Sequence, residues 1–388
     1  MYAGSSGLAT SVPPTRVNPI DKLLVPLQIT HSTTSVHAEP TASIQLCVTR
    51  SSSLQRLDTV NQAGNVVFLP QFKPHKPVTR LEHSIGCALL VKRLGGDHTQ
   101  QVAALLHDIT HRAFSHVADV LYKDRLKANQ DSYHEVNVSE FVNLQTDLPN
   151  FFSQSDLKSL IDLSQHPIVE QPTPTMCADR IDYFLRDVIA WQVDCPEIGL
   201  VDNLTRRKWV DEFVDSLTVA SDGIMATTDV KLGVEASILF MCLNDQAYIS
   251  KESVGVYQLT AVLLKKAIAY GIIADVDLDV KGDQEIWNAV KEGCGGHRDM
   301  TKIWTILNSE KTEYLIVECN DNVQDGWTKI ASNLQLKMRY VDPHIVSSVN
   351  KETARKASAM DSRLRQTLSE YRYKGLKKWD VYYKFSRI

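Results

Sequence analysis

The chain has 388 residues, of which 43% are hydrophobic and 23% are charged, a balance typical of a globular protein with a large core. Its formal net charge of -4 argues against broad, nonspecific nucleic-acid binding, which needs a basic surface. The seven cysteines are scattered and never paired as CxxC, which argues against a disulfide scaffold and against a zinc–cysteine site.

Residues 1–45 are rich in Ser, Thr and Pro, and we interpret them as an N-terminal extension. A short strand at Leu23–Ile29 and a weak targeting peptide are both open for this segment. No apolar run in the chain approaches the roughly 20 residues of a membrane span. We therefore expect a cytoplasmic protein, with the nucleus as an alternative, and no membrane partner.

Residues 46–204 carry helical periodicity and form the predicted main domain. A short helix is predicted from Leu54 to about Gln62, where Gly64 ends it, and Gly95-Gly96 closes a second helix that starts at Thr79. The further helices predicted in this domain are Thr99–Leu106, Val136–Leu144, Ser155–Leu163 and Met176–Trp191.

Residues 205–388 form a predicted α+β region whose role in dimerisation, as a lid or in regulation stays open. Ser221-Asp222-Gly223 predicts a hairpin between 216–220 and 224–228, and residues 234–273 are predicted to form two helical segments broken near Ser250–Gly255. The predicted strands are Glu313–Cys319, Leu334–Val341 and Val381–Phe385. The basic, aromatic segment Arg372–Lys378 is interpreted as a solvated edge rather than a nucleic-acid platform.

An unusual concentration of histidine follows the helix Thr99–Leu106. His107, Asp108, His111 and His116 fall within ten positions. Each buried imidazole needs its own hydrogen-bond partner, so core histidines rarely cluster in this way. A His next to an Asp also offers a hard cation both an imidazole and a carboxylate. The stretch therefore favours a metal or catalytic role.

Two other predicted helices carry complementary groups. Asp179, Asp182, Tyr183, Arg186 and Asp187 share roughly one helix face opposite a very apolar one, which fits a solvated face or the wall of a site equally well. Together with His83, the metal-ligand candidates are two imidazoles and two carboxylates, and they leave water positions on an octahedral cation. This set suits one Mn, Fe, Mg, Co or Ni ion better than a closed tetrahedral zinc site.

Over residues 54–190 the sequence resembles the HD superfamily of metal-dependent phosphohydrolases, and most closely its deoxynucleoside triphosphate triphosphohydrolase branch. The resemblance implies a mainly α fold, an HD-domain helical bundle, with the smaller α+β region following it. It rests on Arg80-Leu-Glu-His83-Ser-Ile-Gly86, Leu105-Leu-His107-Asp108, Phe114-Ser-His116 and Ala178-Asp179-Arg180-Ile-Asp182-Tyr183-Phe-Leu-Arg186-Asp187.

The resemblance also implies a role for each matching position. The metal ligands are His83, His107, Asp108 and Asp179. Proton transfer and phosphate contact fall to His111, His116, Asp119 and His134. Phosphate is held by Arg80 and Arg180, the sugar by Tyr183 and Asp187, and the sugar or base by Gln62.

The sequence departs from the branch after His107-Asp108. Thr110 replaces a glycine, and Arg112-Ala113 replace Gly-Pro, so Arg112 adds a positive charge that could neutralise phosphate. The leading hypothesis is hydrolysis of a small-molecule nucleotide, either a nucleoside monophosphate to nucleoside and phosphate or a dNTP to deoxynucleoside and triphosphate.

Two further hypotheses stay open. One is a catalytically altered HD-fold nucleotide-binding or regulatory module, and the other is a two-iron oxygen-using enzyme that recruits His111 and His134. The sequence predicts no stable nucleic-acid binding and leaves homo-oligomerisation open.

Overall fold

The computed structural model describes residues 50–72, 77–126, 132–319, 321–347 and 354–385. The predicted strand Leu23–Ile29 and the targeting peptide lie outside these residues. Within the described ranges helices dominate and strands are confined to the C-terminal part, which broadly supports the expected mainly α architecture with a smaller α+β region. No helix in these ranges combines the length and apolar character that a membrane crossing requires.

The helices are numbered here in chain order. They are α1 Ser52–Arg56, α2 Arg80–Arg93, α3 His98–Leu106, α4 Val117–Leu121, α5 Val138–Gln145, α6 Gln154–Ile161, α7 Ala178–Ala190, α8 Asn203–Ser216, α9 Val230–Leu243, α10 Lys251–Ala269, α11 Asp277–Val280, α12 Asp283–Gly293, α13 Arg298–Leu307, α14 Ala357–Met360 and α15 Ser362–Lys374. The strands are β1 Leu217–Val219, β2 Met225–Thr227, β3 Thr312–Glu318, β4 Thr328–Leu334, β5 His344–Ile345, β6 Arg355–Lys356 and β7 Trp379–Phe385.

Helix α2 lies at the centre of the fold and packs against α3 and α7. It begins in a capping box, in which the Thr79 side chain accepts from the Glu82 amide and the Glu82 carboxylate accepts from the Thr79 amide. Leu81, Ile85 and Val91 bury its apolar side in the main core. The cap and this packing fix where the first turn of α2 stands, and that turn carries His83.

The main core continues past residue 204, the end of the predicted main domain. Phe184 of α7 stacks on Phe240 of α9 with ring centroids 4.7 Å apart. Trp209 and Phe213 of α8 belong to the same buried cluster. Helices α8 and α9 therefore extend the helical core that holds α7 in place.

Two small sheets lie in the second half of the chain. Strands β1 and β2 form the predicted hairpin, with Val219 opposite Met225, and β5 joins β2 in parallel with β6 at the edge. Strand β7 is the centre of a three-stranded antiparallel sheet in the order β3-β7-β4. The strands predicted at 313–319 and 381–385 are confirmed with small changes in their bounds.

The strand predicted at Leu334–Val341 is wrong. Strand β4 ends at Leu334, directly after Asn333, whose φ of 56° lies in the left-handed region. Beyond Leu334 the chain forms no strand. Met338 and Tyr340 pack with the helix α15, whereas Val341 enters the main core. The segment packs one side against α15, leaves Gln335 and Lys337 exposed on the other, and does not pair in a sheet.

Helices α12, α13 and α15 were not predicted. In α12, the buried residues Ile286, Trp287 and Val290 repeat at the spacing of an amphipathic helix. The first residue of that helix, Asp283, is fully buried and tethers the loop before α2 to the loop before α4. One of its carboxylate oxygens accepts from the Phe114 amide at 2.6 Å, and the other accepts from the Asn61 amide at 2.7 Å.

Replacing Asp283 by alanine is expected to lower the free energy of unfolding by roughly 3 kcal/mol, because two buried N–H groups lose their acceptor. Chemical denaturation followed by circular dichroism measures this change. The matched control is Asp124→Ala, since the Asp124 side chain is 90% exposed. Equal stability of the two variants would contradict the assigned role of Asp283.

Candidate active site

Four side chains from three helices converge at the centre of the fold. The first turns of α2 and α7 supply His83 and Asp179, and His107 and Asp108 follow the last residue of α3. The Nε2 atoms of His83 and His107 are 3.2 Å apart, and Asp179 Oδ1 lies 2.9 Å from the first and 3.3 Å from the second. Asp108 carboxylate oxygens lie 3.6 Å and 3.5 Å from the same two nitrogens. The structure thus brings together the four predicted metal ligands.

The hydrogen bonds of the two imidazoles determine which of their nitrogens can bind a cation. His107 Nδ1 donates to the Ala104 carbonyl at 2.7 Å, and His83 Nδ1 donates to Asp182 Oδ2 at 2.8 Å. In the neutral rings both Nε2 atoms then carry lone pairs. Burial opposes protonation of both rings, but the neighbouring acidic groups raise the pKa of His83 and of His107, so a bound cation would displace Nε2 protons that otherwise hydrogen-bond to Asp179.

The charges at the centre also match a divalent cation. Burial opposes ionisation of Asp108, but the Arg80 guanidinium and the neighbouring histidines hold its pKa well below the ordinary value. Burial likewise opposes ionisation of Asp179, and hydrogen bonds from His107 and His83 lower its pKa well below the ordinary value. Two ionised carboxylates and two neutral imidazoles balance one divalent ion, so the residues fit the predicted cofactor.

Cys87 is close to the centre. Its Sγ lies 3.6 Å and 3.8 Å from the two ring nitrogens of His83 and donates to the Ala178 carbonyl. Burial raises the pKa of the Cys87 thiol, and a bound cation would lower it again. With His83, His107 and Asp179 it forms a group of donor atoms close enough together to hold a metal ion, so Cys87 is a further candidate ligand that the sequence analysis did not name.

A second layer of polar groups orients His83. Asp182, one helical turn after Asp179, accepts from His83 Nδ1 and from Arg186 Nε at 2.7 Å. A Cβ on Gly86 would stand 2.0 Å from Asp182 Oδ1, so the glycine is what lets α2 approach this carboxylate. The sequence analysis placed Asp182 on the polar face of α7 but did not assign it a role. Its position three residues after Asp179, on the same helix face, could have indicated that it lies close to the metal ligands.

Replacing Asp182 by asparagine is expected to weaken metal binding roughly tenfold to a hundredfold, because an amide orients the His83 ring less strongly and lowers its basicity. Metal titration of the apoprotein measures the dissociation constant, and hydrolysis should recover at saturating metal. Asp215→Asn is the control, since the Asp215 side chain is 61% exposed. An unchanged dissociation constant in Asp182→Asn would count against the orienting role.

Arg80 connects the metal centre to the loop before α4. Its Nη1 donates to Asp108 Oδ2 at 2.7 Å and its Nε donates to Ser115 Oγ at 3.0 Å. Within the described residues, the buried Nη2 atom has no hydrogen-bond partner. Phe114 and Ser115 have φ angles of 62° and 50°, a left-handed backbone conformation that costs free energy in residues other than glycine. This conformation brings the Ser115 hydroxyl within hydrogen-bond distance of Arg80.

A group of three imidazoles lies beside Asp108. His111 Nε2 is 3.3 Å from Asp108 Oδ1, and the His111 ring stacks on His134 with centroids 3.8 Å apart. His116 Nδ1 donates to Asp119 Oδ2 at 2.9 Å, while Asp119 Oδ1 accepts from the Tyr133 amide at 2.7 Å. The ring of His116 is thereby fixed with Nε2 as its remaining reactive atom.

The two-iron hypothesis fits this geometry less well than the single-metal hypothesis. The rings of His111 and His134 meet face to face at an interplanar angle of 25°, so their lone pairs point in the ring planes and not towards each other. Among the described residues, the donor atoms of His111 and His134 do not fall into one common cluster, and His134 instead groups with His116 and Asp119.

Arg180 and Arg112, the other residues predicted to contact phosphate, both pair with protein groups in the structure. Arg180 donates to the Thr175 carbonyl at 2.6 Å and lies 3.4 Å from the Glu170 carboxylate. Arg112 forms an ion pair with Asp279 and faces a cavity of about 220 Å³ on the far side of His134. Phosphate binding by Arg180 and Arg112 stays a prediction.

The predicted sugar contacts form an aromatic wall. The Tyr183 ring lies 6.2 Å from the His83 ring and 6.3 Å from Tyr248, which the sequence analysis missed. The Tyr248 hydroxyl donates to Asp187 Oδ2 at 2.5 Å, and burial raises the pKa of Asp187 to about 6. Within the described part of the chain, the buried Oε1 of Gln62 has no partner.

Comparisons with known proteins agree with this geometry. The HD-domain family model matches residues 80–187. The chain is 31% identical over 303 residues to the uncharacterized protein YdhJ of Bacillus subtilis, covering 76% of this chain and 82% of that protein. It is 29% identical over 246 residues to the metal-dependent phosphohydrolase cns2 of Cordyceps militaris, covering 63% and 68%. A phosphohydrolase structure from Bacteroides thetaiotaomicron shares the fold, with a TM-score of 0.61 at 17% identity over 90% of this chain and 97% of that one.

Proposed function

Because the chain belongs to the HD superfamily of metal-dependent phosphohydrolases, we propose that it hydrolyses a phosphate ester of a nucleotide. The observation that carries this proposal is the convergence of four cation-binding side chains beside His116 and beside the unpartnered Nη2 of Arg80. The reaction releases either phosphate from a nucleoside monophosphate or triphosphate from a dNTP.

The residues around the centre have complementary roles in this reaction. His83, His107, Asp108 and Asp179 would hold a divalent cation, which would supply Lewis-acid polarisation of a phosphate oxygen and acidify water. Arg80 neutralises charge on the phosphate through its free Nη2. The doubly protonated ring of His116 donates a proton from Nε2 to the leaving oxygen; burial lowers the pKa of His116, and the Asp119 carboxylate on Nδ1 opposes this and favours the protonated ring.

The wall next to the centre supports a nucleotide over a simpler phosphate ester. Tyr183 and Tyr248 offer aromatic faces, and Asp187 offers a carboxylate oxygen for a sugar hydroxyl. Gln62 adds a buried amide oxygen that needs a donor, as a sugar or base would provide.

The departures from the triphosphohydrolase branch leave the catalytic groups undisturbed. The Thr110 hydroxyl donates to the His134 carbonyl at 2.8 Å, and the Arg112 guanidinium pairs with Asp279. Both side chains therefore have protein partners outside the metal centre, which favours an enzyme over a catalytically altered binding module.

A substrate screen tests the proposal. Nucleoside mono-, di- and triphosphates, with ribose or deoxyribose, are each offered with Mn, Mg, Fe, Co or Ni, and the released phosphate, pyrophosphate or triphosphate is identified. We expect metal-dependent turnover of at least one nucleotide class, with the product reporting which phosphorus–oxygen bond breaks. Binding of nucleotides without turnover under all these metals would support the binding-module hypothesis instead.

A further inference from the structure

The segment that follows β4 is attached to two of the segments that lead into the site residues. Lys337 Nζ donates to Ser132 Oγ at 3.2 Å, close to His134 in the chain. The Asp342 amide donates to the Pro174 carbonyl at 2.9 Å, close to Asp179 in the chain. Residues 335–343, which we name the crossing segment, are thus attached on both sides of the centre.

The crossing segment presents alternate side chains to opposite sides. Met338 and Tyr340 pack with Leu368 and Tyr371 of α15. Val341 enters the main core, whereas Lys337 is exposed and Arg339, between them, is half-buried. The Arg339 guanidinium carbon lies 5.2 Å from the centroid of the Tyr248 ring, on the aromatic wall of the site.

Arg339 differs from the other guanidinium groups near the centre. Four of these arginines have a carboxylate partner, in the pairs Arg80–Asp108, Arg112–Asp279, Arg180–Glu170 and Arg186–Asp182. Across the described ranges, Arg339 has neither a carboxylate within ion-pair distance nor a hydrogen bond, although it is half-buried. No Arg339 nitrogen is among the buried, unpartnered atoms of the described residues, so the guanidinium is accessible to solvent and to a bound anion.

The charge of Arg339 acts on the groups that surround the predicted phosphate position. Burial is the main reason that the pKa of His116 is lowered, and the charges of Arg339 and Arg80 lower it further. Burial raises the pKa of Tyr257, and the same two arginines oppose this rise. The charges of Arg339 and Arg80 therefore act on the same two side chains, those of His116 and Tyr257.

We propose that Arg339 binds a phosphate group of the substrate, so that the C-terminal region completes the active site. This inference rests on the proposed function and adds to it a contact that lies outside the matched residues 80–187. The planar guanidinium of Arg339 can donate two parallel hydrogen bonds to two phosphate oxygens, and the Tyr248 ring packs against the guanidinium.

Binding of inorganic phosphate to the metal-loaded full chain tests the inference. In R339Q we expect the dissociation constant for phosphate and the KM for the nucleotide to rise roughly tenfold to a hundredfold, with metal content unchanged. R339K should give an intermediate loss, because it keeps the charge without the fork. R363Q is the matched control, since Arg363 is exposed on the adjacent helix α15.

Phosphate binding by R339Q equal to that of the wild type overturns the inference and leaves Arg339 as a packing partner of Tyr248. If R339Q does not fold, R339K decides the question by the same comparison. Failure of the wild type to bind phosphate or to hydrolyse any nucleotide overturns the proposed function, and this inference with it. A loss in R339Q that R363Q does not share, with wild-type hydrolysis intact, supports both.

Discussion

Replacing Asp108 by alanine is expected to remove bound metal and to lower hydrolysis roughly a thousandfold or more in the same variant. Asp108 is a buried carboxylate that faces both His83 and His107 and also accepts from Arg80. Its loss takes one negative charge from the centre and leaves the Arg80 cation without its partner. Metal analysis of the purified protein and a phosphate-release assay measure the two effects.

A second ligand variant separates loss of metal from loss of folding. Asp179 is easier to replace than Asp108, because its side chain is 19% exposed whereas that of Asp108 is 5% exposed. Asp179→Asn should keep a folded chain, shown by circular dichroism, and should still lose metal and turnover together. Full hydrolysis by either variant in the absence of metal would rule out the mechanism.

Replacing His116 by glutamine is expected to lower kcat roughly a hundredfold to ten-thousandfold with unchanged metal content. His116 is held by Asp119 on one side, so its Nε2 is the atom positioned to protonate a leaving oxygen. The measurement compares a nucleotide with an aryl phosphate whose leaving group is a weak base. Such a leaving group departs without a proton, so the variant should lose much less activity on the aryl phosphate.

Two controls define this second result. His98→Gln changes an exposed histidine at the start of α3 and should leave both activities unchanged. Asp119→Asn should also lower kcat on the nucleotide, because the asparagine amide favours the other tautomer of His116. Equal losses on the nucleotide and the aryl phosphate in His116→Gln would remove His116 as the proton donor.

The local sequence determined the elements that carry the site. The capping box at Thr79, the adjacency of His107 and Asp108 after an apolar helix, and the polar face of α7 are all properties of short segments. Such segments reveal which residue types lie together, because helix periodicity and caps depend on neighbours a few positions away. These segments, together with the resemblance to the HD superfamily, predicted the ligand set before the structure was known.

Only the tertiary structure decided how distant segments meet. His83 and Asp179 are 96 positions apart, and the close packing of α2 on α7 at Gly86 brings them together and gives Asp182 its place behind His83. The alternation in residues 334–341 predicted a strand, but it could not tell a strand in a sheet from an extended segment that packs against α15. Alternation reports burial on each side of the backbone and carries no information on which element buries it, so the position of Arg339 came from the fold.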